Sequence, residues 1–69
     1  MDVDLFEYEM KKKGYRTVTD RANAMGWSLS AYYRRMSNSI ECTKADIETA
    51  AGILGWDITH RIFFANEVS

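Results

Sequence analysis

Sixty-nine residues leave room for one domain, spanning the whole of 1–69, around one small core. Hydrophobic residues make up 46 % and charged residues 28 %, which excludes a disordered chain, and the lack of proline predicts long elements joined by short loops. The formal charge is −1, but residues 11–44 hold eight basic against two acidic side chains, while the rest of the chain holds one basic against eight acidic.

The first predicted helix runs from Leu5 to Lys13, with Leu5, Phe6 and Met10 as inward candidates and Gly14 as its stop. Thr17, followed three residues later by Asp20, has the form of an N-cap. It opens a second helix that reaches Met25 and closes at Gly26, with Ala22 and Met25 facing inward. Ser28 caps a third helix, Leu29 to Met36. Only Gly26-Trp27-Ser28 separates the second and third helices, a link so short that it forces a large change of direction. Trp27 is apolar where a turn residue is usually polar, so it is expected to plug the junction.

Adjacent residues on a helix face different ways, so with Tyr32 and Met36 inward, Tyr33 is expected outward. The segment Ser37 to Cys42 reads as a loop, with Cys42 in an apolar slot. Thr43 and Asp46 then form a capping pair for a fourth helix, in which Ile47, Ala50, Ala51 and Leu54 make one apolar stripe at i, i+3, i+4 and i+7. Gly55 is expected as a left-handed stop, and Trp56 as a second core plug. Asp57 is the expected cap of a last helix from Ile58 to about Ala65, with Ile58, Ile62 and Phe63 closing the core. Phe64 and Val68 add more apolar surface than one short helix hides, which predicts an association surface at Phe64.

Cys42 and His60 have no companions for a disulfide or a metal site, and no glycine-rich phosphate loop or nucleophile–base pair occurs. The expectation is therefore a non-enzyme with no metal and no cofactor. The acidic start Met1-Asp2-Val3-Asp4 has no long apolar run behind it, which predicts neither a secretory leader nor a membrane span and suggests a cytoplasmic setting. A basic middle between acidic ends can offer one face to phosphates, or can simply be a set of solvated helix faces.

Five helices in this order resemble the lambda-repressor-like (Cro-type) helix-turn-helix domains. The resemblance runs from Leu5 to Phe64 and is most specific at Ala22-Asn23-Ala24-Met25-Gly26-Trp27-Ser28, at Ser30 to Met36 and at Ile47 to Trp56. It implies an all-α, five-helix fold and an operator-binding regulator of a temperate phage switch in a bacterial host, acting on double-stranded DNA as a homodimer. By that resemblance the third helix enters the major groove with Leu29, Ser30, Ala31, Tyr33 and Arg34, while Arg35, Arg16 and Lys44 contact phosphates. The chain departs from the family where Arg21 replaces a bulky aliphatic, Val18 replaces a polar first residue of the second helix, and Leu29 opens the third. These departures keep a second function open. A small modulator of repression resembles the same family, and it would use Leu29, Tyr33 and Phe64 against the phage repressor protein instead of DNA.

Overall fold

A computed structural model describes residues 1–64, and these form five α-helices with no strand among them. They are α1 (Val3–Lys12), α2 (Val18–Met25), α3 (Leu29–Met36), α4 (Lys44–Leu54) and α5 (Trp56–Phe64). Side-chain caps explain four of the five starts. The Asp2 carboxylate accepts the Leu5 N–H, the Thr17 hydroxyl that of Asp20, and the Ser28 hydroxyl that of Ala31. Thr43 and Asp46 exchange bonds in a reciprocal capping box. Asp2 starts α1 two residues earlier than the hydrophobic pattern alone predicts.

The helix ends are equally local in origin. Gly26 adopts φ 73° and ψ 24°, and its amide and that of Trp27 bond back to Asn23 and Ala22, so α2 closes in a Schellman turn. Asn38, the one described non-glycine residue with positive φ, closes α3 in the same way through the Ser39 amide and the Arg34 carbonyl. Gly55 does not take the left-handed conformation expected of it. With φ 86° and ψ 157° it occupies a region open essentially to glycine alone. Its N–H ends α4 on the Ala51 carbonyl, and its own carbonyl accepts the Thr59 N–H of α5. One residue thus serves both helices, so α5 begins at Trp56 and Asp57 lies in its first turn instead of capping it.

The core consists of Phe6, Met10, Ala22, Met25, Trp27, Tyr32, Ala50, Leu54 and Ile62. Here α4 rests on α5, α2 on α3 and α4, and α1 on α5. The Asp2 amide bonds the Ile62 carbonyl and ties the two ends of the helical set together. Two expectations about α4 and α5 need correction. Ile47 and Ala51 are only half-buried while Ala50 is fully enclosed, so the inward line of α4 centres on Ala50 and Leu54. Trp56 is no core plug. Because Gly55 turns the chain directly into α5, the indole of Trp56 faces solvent and is 60 % exposed. Ala65, the expected end of the last helix, and Val68 lie outside the described residues.

Candidate nucleic-acid interface

α3 is an eight-residue helix anchored by one fully enclosed side chain, Tyr32. The residues around that anchor fall where the 3.6-residue period puts them. Leu29, Ser30, Tyr33 and Arg34 are exposed, with Leu29 and Tyr33 neighbours at i, i+4. The Tyr33 ring meets Tyr32 edge-on at 5.9 Å. Among the described residues the Arg34 side chain makes no ion pair, while its carbonyl accepts the Ser37 hydroxyl. Ala31, expected on the same outward face, is half-buried against the core edge, and its carbonyl accepts from Arg35 Nη1.

The cations grouped together by the sequence are divided by the structure. Arg16 and Lys44 are exposed, and Lys11, Lys12 and Lys13 line the end of α1, Lys12 being 3.6 Å from Glu9. Arg35 turns inward instead. Its Nε and Nη2 donate to Asp46 Oδ2 at 3.2 and 3.1 Å, and the guanidinium lies 4.6 Å from the Trp27 ring centre. Asp46 also accepts the Trp27 indole N–H at 2.9 Å and the Thr43 backbone N–H at 2.9 Å. Burial alone would raise its pKa, but the bonds from Trp27, Thr43 and Arg35, with the arginine charge, outweigh burial and hold the carboxyl below its ordinary value.

Arg21 is a second cation withdrawn from the surface. It is 4 % exposed; its Nε donates to the Tyr32 hydroxyl at 2.8 Å and its Nη1 to the carbonyls of Arg16 and Tyr15 at 2.8 and 3.2 Å. Nη2 stands 3.6 Å from Glu7, whose carboxylate also faces the Tyr32 hydroxyl at 3.4 Å. Burial pushes the Tyr32 phenol up, against the lowering pull of Arg21. The position four residues before Met25 belongs to the inward stripe, and that was the signal for Arg21 in the sequence.

At the end of α5, Phe64 is half-buried with its ring 5.3 Å from that of His60. It helps line an open groove of about 580 Å³ with Met1, Ile40, Cys42, Ile47 and Phe63, and the polar residues Arg35, Asn38 and Glu41 border the same groove. Burial raises the Cys42 thiol pKa, so its reactive thiolate is disfavoured. Among the described residues no three metal-ligating side chains converge, and no helix is long and apolar enough to cross a membrane.

No protein-family description, curated protein or solved structure matches this chain. The functional reading therefore rests on the geometry of α2, α3 and their surroundings.

Proposed function

We propose that the chain is a helix-turn-helix transcriptional regulator of the Cro/repressor type, which binds operator DNA through α3 in a temperate phage's lysis–lysogeny switch. In this reading α2 and α3 serve as the helix-turn-helix; Gly26-Trp27-Ser28 joins them, with the Trp27 ring in the core. One observation carries the reading. The outward side of α3 combines Ser30 and Tyr33 with Arg34, an exposed arginine without an ion-pair partner among the described residues. A guanidinium so disposed suits the paired acceptors of guanine in a major groove. Arg16 and Lys44, both exposed, supply phosphate contacts that set affinity and its salt dependence. A homodimer with Phe64 at its contact would match two half-sites on the duplex.

Leu29 and Tyr33 favour a second reading. They are 48 % and 58 % exposed and form an apolar pair on that same helix, the kind of surface that anchors protein contacts. In that reading the chain is a modulator of repression and docks α3 on the phage repressor.

A gel shift run beside a pull-down with the repressor's DNA-binding domain separates the two. For the operator-binding regulator, Arg34→Ala removes about 1–3 kcal/mol of specific binding and relaxes preference at one base position. A duplex bound without sequence preference, together with a repressor complex lost in Tyr33→Ala, would instead establish the modulator.

A further inference from the structure

Arg35 stands next to Arg34 in the sequence, yet the two guanidinium groups meet different surroundings. That of Arg34 is exposed, whereas the Arg35 side chain retains 13 % of its accessible surface, as does that of its partner Asp46. The contacts converge on one carboxylate. Asp46 Oδ1 takes the indole N–H of the α2–α3 turn, and Oδ2 takes both the Arg35 fork from the last turn of α3 and the Thr43 amide that starts α4. Arg35 further covers the Trp27 ring and donates to the Ala31 carbonyl of its own helix. Among the described residues this pair supplies the side-chain hydrogen bonds between α3 and α4.

α3 encloses only Tyr32 fully, with Ala31 and Met36 packed at the core edge, and the Arg35–Asp46 pair adds a directional polar tie at the end of the helix. We infer that Arg35 is a positioning residue, which sets the angle at which α3 offers Ser30, Tyr33 and Arg34 through Asp46 and Trp27, and is not itself a phosphate ligand. The inference rests on α3 being the DNA-reading helix. Its charge is compensated inside the molecule, and leaving that site would strip Asp46 of two of its four donors. The site also requires arginine. A planar fork can stack on an indole and donate two bonds at once, whereas an ammonium offers one compact charge.

The test uses the full chain, a duplex selected by it from a random-sequence pool, and a scrambled duplex of the same length. Salt titrations of the parent, Arg35→Met, Arg35→Lys and Asp46→Asn are run where circular dichroism shows each to be folded. Positioning predicts that Arg35→Met and Asp46→Asn each lower the preference for the selected duplex about tenfold, the scale of one misplaced base contact. It also predicts that Arg35→Lys fails to restore this preference, and that the salt slope of Arg35→Met equals that of the parent. A slope flattened by about 0.9 in Arg35→Met and restored by Arg35→Lys would make Arg35 a phosphate ligand and overturn the inference. Residual dipolar couplings of the α3 amides, compared with those of α4, read the tilt without DNA. They should change in Arg35→Met, and superposition on the parent would also overturn the claim. A parent that binds no duplex refutes the DNA-binding function alone, while the couplings still decide the role of Arg35.

Discussion

Arg21 on α2 and Arg35 on α3 are both drawn into the protein, but by different kinds of partner. Around Arg21 the close contacts are neutral dipoles, the Tyr32 hydroxyl and the carbonyls of Tyr15 and Arg16, with the Glu7 carboxylate further off at 3.6 Å. Around Arg35 the close contact is an anion, Asp46 at 3.1 Å, shielded to the same degree as the arginine. The first site holds a cation by satisfying its donors; the second holds it by cancelling its charge. The difference has a functional side. Arg21 fastens Tyr32, the internal anchor of α3, to the segment before α2, whereas Arg35 fastens the end of α3 to α4. Between them they constrain the helix whose outer face is the candidate interface.

The largest effect should come from emptying the first site. Arg21→Met leaves the Tyr32 hydroxyl and two carbonyls without their donor, at a cost of about 2–4 kcal/mol. Against a total stability of about 5 kcal/mol for a small domain, that is a drop of roughly 10–30 °C in melting temperature. A thermal melt within a few degrees of the parent would mean that water replaces the guanidinium, and the contrast with Arg35 would lose its basis.

The second site should announce itself through pH. Asp46 has a folded pKa below its unfolded one, so its stabilisation is fully present above the ordinary carboxylate value of about 3.9 and is lost as pH falls through the depressed folded value. Asp46→Asn should cost about 1–2 kcal/mol at neutral pH, from a weakened cap and a weakened arginine bond. That gap should close on acidification below the ordinary carboxylate range. Denaturant midpoints of parent and variant between pH 7 and pH 2.5 measure it. A gap independent of pH would show that shape and capping, not charge, hold Arg35.

Much of this frame could be read from residue types at fixed spacings. Thr17, Ser28 and Thr43 cap the helices expected of them, Gly26 ends α2 in the left-handed conformation, and Tyr32 and Tyr33 divide between core and surface. These features are local, depending on residues within a few positions of one another. What escaped depends on distant partners. Sequence alone counts Arg21 with the basic middle and assigns Arg35 to phosphate, because the side chains that hold them, Glu7, Tyr32 and Asp46, lie 11 or more positions away, the Tyr15 and Arg16 carbonyls alone being near Arg21 in sequence. Asp46 was legible as a capping residue, but its bonds to Trp27 and Arg35 exist only once α4 is docked. Trp56 was misjudged because its place at a helix junction suggested a core plug, and the unusual backbone of Gly55 turns the chain straight into α5 and leaves its indole exposed.

The smallest effect is the sharpest check on the contrast between the two arginines. Glu7 is the only carboxylate within ion-pairing distance of Arg21 among the described residues, and its side chain keeps 32 % of its accessible surface. Solvent therefore screens most of the attraction, and a pair of this kind contributes about 0.5 kcal/mol or less. Glu7→Gln removes the charge but leaves an amide oxygen able to accept from the Tyr32 hydroxyl. The expected outcome is a melting temperature within about 4 °C of the parent and a stability that changes with added salt as the parent's does. Combined with Arg21→Met, the two changes should show little coupling, because the arginine's main partners are neutral. A Glu7→Gln variant as unstable as Asp46→Asn, or strongly coupled to Arg21→Met, would place an anion at the centre of both sites. The carbonyls of Tyr15 and Arg16 would then be incidental, and the path by which α1 steadies Tyr32 would run through charge.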